Sequence, residues 1–196
     1  MKNKNFSLKK EFLNSWKYLL ESRKFIWFIV AVFFVFSLIG FFAPVPAEIE
    51  KQILDILKNL LEQTQGMSGI ELSWFIFTNN LQASFFGLIF GIILGIFPFL
   101  ISVSNGYLLG FVAKKSVEFD GIFSLWKIFP HGVFELPAVF ISLGLGMKFG
   151  SILFQKKKLE NFKTFFERGL KVFFFIVIPL LIIAALIEGI LIVLVG

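Results

Sequence analysis

Cysteine is absent from this chain and histidine occurs once. Without cysteine there can be no disulfide, no thiolate nucleophile and no thiolate-bound zinc. A single histidine excludes the H-E-x-x-H pair of a zinc protease, and no glycine-rich loop followed by lysine is present to bind phosphates. We therefore expect a protein that is not an enzyme and that has no catalytic residues, cofactor or metal of its own.

Charged residues are also scarce, at 16%, whereas 57% of the 196 residues are hydrophobic and 30 are phenylalanine. This balance is far more apolar than that of a soluble domain of similar length. Each crossing of a membrane needs about 20 helical residues, so the composition predicts an all-α, polytopic transmembrane helix bundle of about five spans. We expect residues 25–196 to form one transmembrane domain.

The candidate spans are the longest stretches with few or no charges. They cover 25–42, 74–97, 99–113, 122–148 and 172–195. Pro98 predicts a tight turn between the second and third. The fourth would make a helix of about 40 Å, which is too long for one straight crossing. Pro130, Gly132 and Pro137 therefore predict a helix break, and 122–148 either crosses the membrane in pieces or re-enters it.

Basic and acidic residues separate along the chain. Residues 1–24 carry seven of the 19 lysines and arginines, with apolar residues at helical spacing. This pattern predicts a basic amphipathic segment that contacts anionic lipid headgroups. Residues 44–72 predict an acidic amphipathic helix instead. Because cytoplasmic loops attract Lys and Arg, we expect a multi-pass protein of the cell membrane, with a cytoplasmic N-terminus and an extracytoplasmic 44–72 loop. Since the basic residues flank apolar segments, we expect no nucleic-acid partner.

Polar side chains recur inside the later spans, where an ionisable group costs about 2.5 to 3.5 kcal/mol on insertion scales. His131 lies four residues before Glu135, on the same helix face. Helix lengths place Glu135 and Glu188 about 20 and 25 Å from the inner surface, in the outer half of the membrane. We therefore predict a buried polar network or pathway of Asn79, Asn80, Asn105, His131, Glu135 and Glu188.

Small residues form a stripe on one face of the second and third spans. In lipid, small residues let helices approach closely, because packing and hydrogen bonds replace the hydrophobic effect there. The stripes therefore predict close helix packing rather than a ligand site. The predicted packing residues are Gly87, Gly91, Gly95, Gly106 and Gly110.

Two interpretations of the polar network stay open. His131 and Glu135 are either a structural pair that holds the helix break or part of a pathway for protons or ions. A carboxyl group in apolar surroundings tends to be protonated unless it is paired, which suits a neutral hydrogen bond as well as a proton relay. The residue pattern does not decide whether the group holds water, protons or a metal.

Three stretches follow one another in a distinctive order. They read FTNNLQASFFGLIFGIILGIFPFLISVSNGYLLG, PHGVFELPAVFISLGLGMKFG and LLIIAALIEG. Their markers are Asn79, Asn80, Asn105, Gly106, His131, Gly132, Glu135, Ala138 and Glu188. In order and spacing, these residues resemble the stage II sporulation protein M family of integral membrane proteins. The resemblance covers residues 70–196 and also fits the amino-terminal anchor.

The resemblance implies a multi-span protein without catalytic activity. In spore-forming bacteria the family member belongs to the membrane complex that remodels peptidoglycan during engulfment and holds cell-wall hydrolases at the membrane. Relatives also occur in organisms that form no spores, so this role does not extend to every member. We expect an organising or scaffold component of a membrane complex, as a homo-oligomer or with other membrane or extracytoplasmic proteins. The alternative is a transporter or channel for protons, ions or lipids that uses intramembrane Glu and His residues.

Overall fold

The computed structural model describes residues 7–127, 129–155 and 158–195, and the side chains of 126–134, 156–159 and 188–196 lie outside that description. Every regular element in the described ranges is helical, which confirms the predicted all-α bundle. The helices are α1 (Leu8–Glu21), α2 (Arg23–Phe42), α3 (Ala47–Thr64), α4 (Gly69–Ile89), α5 (Ile96–Asp120), α6 (Phe129–Ser151), α7 (Lys158–Val172) and α8 (Ile178–Val195). Short 3-10 turns cover Phe90–Ile92, Ile122–Lys127 and Ile152–Phe154, and a π-helical turn, Phe173–Val177, joins α7 to α8.

Five helical stretches among the described residues are long and apolar enough to cross a membrane. They are Arg23–Phe42, Gly69–Ile92, Ile96–Asp120, Glu135–Phe154 and Glu160–Ile187. Their number agrees with the prediction of about five spans. The chain is therefore a multi-pass membrane protein.

The turn between α4 and α5 lies earlier than the one predicted at Pro98. The chain reverses at Leu94 and Gly95, which take left-handed φ angles of 54° and 71°. Pro98 instead lies in the first turn of α5. A proline is tolerated there, because the first N–H groups of a helix have no helical acceptor to lose. The reversal therefore uses a glycine and a strained leucine rather than the proline.

The segment 122–148 is broken, as predicted, but at a different place. A 3-10 turn covers Ile122–Lys127, and α6 then runs without interruption to its end. Pro130 and Gly132 stand in the first turn of α6, where a proline removes no helical hydrogen bond. Pro137 lies inside the same helix. These three residues therefore do not mark the break, and α6 is long enough to cross the membrane rather than re-enter it.

The helices alternate in direction, so the bundle has two ends. At the first, called the α1 end, α1 packs on α7 and Lys171 pairs with Glu11 at 2.6 Å. At the second, called the α3 end, Lys115 near the end of α5 pairs with Glu50 of α3. The apolar stretch of α5 ends at residue 113, but the helix continues to Asp120. The pairing with Glu50 therefore offsets the charge of Lys115, which lies just beyond that stretch.

α6 is the central helix of the bundle. Of its most apolar window, 61% is buried, whereas no other span exceeds 33%. It packs against α2, α4, α5 and α8, while α2 lies along α5 and α4 lies along α8. Although α4 and α5 are consecutive, they touch very little, because each is held by other partners. A groove therefore remains between them.

Glycines bring α5 and α2 into close contact. A side chain added at Gly106 or Gly110 would overlap the backbone of Phe33 or Ser37 in α2. The contact is reinforced by Ser102, whose buried hydroxyl donates to the carbonyl of Ile29 at 3.0 Å. The two helices thus approach at backbone distance, as small residues allow in lipid.

The other three predicted packing glycines face α6. Gly87, Gly91 and Gly95 all approach this helix, and a side chain at Gly91 would overlap the backbone of Gly146. Because the stripe continues from α4 into the following turn, the turn itself is held against α6. All five glycines named from the sequence therefore lie at helix contacts.

Candidate functional site

An open space in the described part of the bundle lies between α4 and α5, with α6 as its floor. Its volume is about 880 Å³. Apolar side chains form most of the lining, among them Phe97 and Leu100 of α5 and Leu143 of α6. Leu57 reaches into it from α3, at the α3 end. We call this space the mid-span groove, because all its other lining residues belong to candidate membrane spans.

Four of the six residues predicted to form the polar network line the mid-span groove. They are Asn79, Asn80, Asn105 and Glu135, contributed by three different helices. The structure therefore brings these side chains around one space, although they lie up to 56 positions apart in the sequence, from 79 to 135. Their role as a network or pathway stays a prediction.

Helix geometry explains why the asparagines meet near the middle of the membrane. Asn79 lies about 15 Å along α4 from its start, and Asn105 lies about 14 Å along α5 from its start. The two helices run in opposite directions and are 21 and 25 residues long. Both side chains are therefore near mid-span, away from the ends of their helices.

Exposure differs among these polar groups. The sequence predicted a buried network, but Asn79 and Asn105 are exposed, as is Ser104, whereas Asn80 and Glu135 are half-buried. Gln82, one helical turn after Asn79, is exposed as well. An exposed amide at mid-span faces lipid unless another molecule covers it. The polar rim of the groove is thus open to the side of the bundle.

Two members of the predicted network, His131 and Glu188, have side chains that lie outside the described residues. The backbone of His131 belongs to α6, one turn before Glu135, and that of Glu188 belongs to α8. Their part in the network therefore stays a prediction. Among the described side chains, no group of three His, Cys, Asp or Glu residues is close enough to hold a metal ion.

Two serine hydroxyls inside the spans donate to backbone carbonyls of other helices, whereas the buried hydroxyl of Ser84 has no hydrogen-bond partner among the described residues. Ser102 donates to Ile29, and Ser142 of α6 donates to the carbonyl of Ser84 in α4 at 2.7 Å. Both bonds are buried and both connect different helices. Such bonds hold helices together in lipid and leave these hydroxyls without the base that a nucleophile needs.

The sequence patterns did not predict a second polar cluster, at the α1 end. Tyr18 of α1 is buried beneath Lys148 of α6, whose ammonium lies 3.8 Å from the ring centroid. The same ammonium donates to Ser22 at 2.9 Å, and the guanidinium of Arg168 lies 5.7 Å from the ring. Burial raises the pKa of the Tyr18 phenol, an effect that the charge of Arg168 opposes.

A smaller cavity, of about 300 Å³, lies beside this cluster between α1 and α7. Its lining contains both basic and acidic side chains, and the guanidinium of Arg168 lies 3.8 Å from the carboxylate of Glu21. The spacing of Ser15, Tyr18 and Ser22 along one helix face was the sequence signal for the cluster. The apolar residues at helical spacing on the same segment indicated a lipid-contacting helix instead, so the polar face was not recognised. Because its side chains join α1, α6 and α7 to one another, we interpret this cluster as structural. The mid-span groove is therefore the candidate functional site.

The family comparison agrees with the pattern of motifs. A family model described as Stage II sporulation protein M matches residues 29–191. This range includes all five candidate spans except a few terminal residues, and it includes every residue of the mid-span groove. Searches among curated proteins and among solved structures found no match.

Proposed function

Since the chain belongs to the stage II sporulation protein M family, we propose that it is a non-catalytic organising protein of the membrane. In this function it holds other copies, or other membrane or extracytoplasmic proteins, in one complex. The observation that carries the proposal is the exposure of Asn79 and Asn105 near the middle of two membrane spans. Amides in that position are satisfied by hydrogen bonds to another transmembrane helix.

The packing of the bundle supports the same function. Glycine contacts and interhelical serine bonds join α2 to α5 and α4 to α6. Transporters commonly build their sites from interrupted helices that move against each other. Here α4, α5 and α6 are each continuous where they line the groove. A bundle of this kind is suited to presenting a fixed surface.

The experiment compares variants of the groove amides with a matched control outside the membrane spans. Asn79→Leu and Asn105→Leu remove the exposed amides, and Asn59→Leu makes the same change on the exposed surface of α3. The native mass of the complex is measured after extraction in lipid nanodiscs. We expect the groove variants to shift to a lower mass and the control to keep the parent mass. An unchanged mass in both groove variants would contradict the proposal.

A second candidate function is transport of protons or ions, and one observation favours it. The carboxyl of Glu135 lines the same open groove as the asparagines, so an acid lies inside a membrane-embedded cavity. The two functions differ in liposomes. An organising protein moves no protons, whether Glu135 is present or replaced by Gln. A proton flux that the parent protein shows and Glu135→Gln abolishes would overturn the organising function.

From the charges at the ends of the bundle, we propose that the protein contacts anionic lipid headgroups and has a defined orientation in the membrane. α1 carries Lys9, Lys10 and Lys17 on its exposed surface, and α7 adds Lys163 and Lys171 at the same end. Such a surface attracts anionic headgroups. Since basic residues favour the cytoplasmic side, we assign the α1 end to the cytoplasm and α3 to the opposite side.

A further inference from the structure

Exposed polar side chains at mid-span occur on only one side of the described bundle. They are Asn79 and Gln82 on α4, and Ser104 and Asn105 on α5. By contrast, α2 exposes only apolar residues after Lys24, and so does the described part of α8. The outer surfaces of α2 and α8 are therefore matched to lipid tails. The α4 and α5 edges of the mid-span groove are not.

We propose that a second copy of this chain covers the mid-span groove, in a dimer whose two-fold axis is parallel to the membrane normal. This inference rests on the proposed function, because it names the partner that the organising surface holds. In the dimer, the α5 edge of each copy enters the groove of the other copy. Asn105 of one copy then meets Asn79 and Gln82 of its partner, and the same contacts repeat across the axis.

Hydrogen-bonding chemistry favours an identical partner. An amide carries donors and an acceptor, so amides pair with one another without any charged partner. The exposed edges carry amides and a hydroxyl and no charged residue, which makes this surface self-complementary. A lipid tail has no donor or acceptor at this depth, so it would leave Asn79 and Asn105 unpaired.

The positions of the amides satisfy the symmetry of such a dimer. A two-fold axis along the membrane normal keeps every residue at its own depth, so only residues at similar depths can meet across it. Counted from the turn at Leu94 and Gly95, Asn105 lies about 15 Å along α5, while Gln82 and Asn79 lie about 18 and 22 Å along α4. Gln82 is therefore nearest to the depth of Asn105, and Asn79 follows within one further helical turn. Both copies use the same surface patch, so the interface is isologous and the assembly stops at a dimer.

The α5 edge also has the shape of a helix that packs into a groove. Phe97, Leu100 and Ser104 recur along it at intervals of three and four residues and are all exposed. The small Ser104 at the centre lets a neighbouring backbone approach closely. Because α4 and α5 hardly touch, the groove is open enough to receive such an edge.

Site-directed crosslinking tests the proposal without background, since the chain has no cysteine. Ser104→Cys and Ala83→Cys place thiols on the α5 and α4 sides of the groove and keep all the amides. Val35→Cys on α2 and Ile183→Cys on α8 are matched controls on outer surfaces. The full-length variants are co-expressed in pairs and crosslinked in native membranes with a short bis-maleimide.

We expect the Ser104→Cys and Ala83→Cys pair to give a crosslinked dimer and the α2 and α8 controls to give none. Replacing Asn79 and Asn105 together by Ala should raise the dimer dissociation constant about tenfold, as expected for losing two interhelical polar contacts. Asn105→Gln keeps an amide and should retain the dimer. Helix content measured by circular dichroism separates loss of pairing from loss of folding.

Two results would overturn the inference. One is equal crosslinking at the α2 or α8 controls. The other is no dimer from the groove pair although both thiols react with a small membrane-permeant maleimide. The second result includes the cases in which the groove thiols crosslink to a different protein or are surrounded only by lipid. The proposed function is contradicted by different results, which are an unchanged native mass of both groove variants or a proton flux that Glu135→Gln abolishes.

Discussion

The ammonium of Lys148 lies 3.8 Å from the centroid of the Tyr18 ring, and it connects the central helix α6 to α1. The two helices have little other contact, because α1 packs mainly on α7. Tyr18 is only 6% exposed, so the cation and the ring interact where water is largely excluded. A cation–π contact gains strength from such desolvation, reaching about 2 kcal/mol.

The first prediction concerns this contact. Tyr18→Leu keeps an apolar side chain but removes the ring face, so it should lower the free energy of unfolding by about 1 to 2 kcal/mol. Tyr18→Phe keeps the ring and should have a much smaller effect. Thermal and denaturant unfolding in detergent, followed by circular dichroism, measures both. Phe12→Leu, at an exposed position of α1, is the control. If Tyr18→Phe is as destabilising as Tyr18→Leu, the hydroxyl rather than the ring face is responsible.

The second prediction concerns alkaline pH. Burial raises the pKa of Tyr18 while the charge of Arg168 opposes this, so the folded protein keeps the neutral phenol. An unfolded tyrosine ionises at about pH 10. Above that pH the unfolded chain releases a proton that the folded chain retains, and stability therefore falls as pH rises. The free energy of unfolding of the parent protein should decline relative to Tyr18→Phe between about pH 9 and 11.

The parent protein and Tyr18→Phe contain the same lysines, so the contribution of lysine titration cancels in the difference between their stabilities. The second tyrosine, Tyr107, is also common to both. Parallel pH profiles for the two proteins would show that Tyr18 ionises as readily folded as unfolded, which its burial argues against.

The helical class, the number of spans and the convergence of Asn79, Asn80, Asn105 and Glu135 could be predicted from the sequence. Apolar runs of about 20 residues have few alternatives to membrane helices, and alternating crossings bring mid-span residues to one depth. The packing glycines could be predicted as well, since close approach of helices in lipid requires small residues.

Other features depend on tertiary structure that residue types do not encode. The reversal at Leu94 and Gly95 was missed because leucine rarely adopts a positive φ, and Pro98 was the more obvious signal. The break before α6 was misplaced because Pro130 is as compatible with a first helical turn as with a break. The Lys148–Tyr18 contact joins residues 130 positions apart, and no local pattern pairs them.

The third prediction concerns the crossing of α4 and α6. A methyl group at Gly91 or Gly146 would overlap the backbone of the opposite helix, which has no side chain to move aside. Gly91→Ala and Gly146→Ala should each destabilise the protein by about 1 to 3 kcal/mol, the range for overpacking a tight contact. Gly169→Ala is the control, because its nearest neighbour is the Phe165 ring at 3.1 Å, a side chain that can adjust.

The same unfolding measurement distinguishes a backbone contact from a general effect of alanine. Alanine favours a helix over glycine by about 1 kcal/mol, so Gly169→Ala should be neutral or stabilising. Stability gains at Gly91 and Gly146 as well would mean that the two helices separate readily, contrary to the observed approach.

The fourth prediction concerns the orientation of the bundle. Leu8 at the α1 end is 65% exposed, and Asn59 on α3 is exposed at the other end. An odd number of crossings, here α2 alone, separates the two positions, so they must lie on opposite sides of the membrane. Because the lysines and arginines of α1 and α7 share the α1 end, that end should be cytoplasmic.

A membrane-impermeant maleimide tests this orientation in intact cells and in inverted vesicles. The N59C variant should react in intact cells, and the L8C variant only in inverted vesicles, while the parent chain, without cysteine, gives no signal. Reaction of L8C in intact cells, with N59C protected, would reverse the orientation but preserve the fold. Reaction of both variants from one side would mean that α2 does not cross the membrane, and the groove asparagines would then not be expected at mid-span.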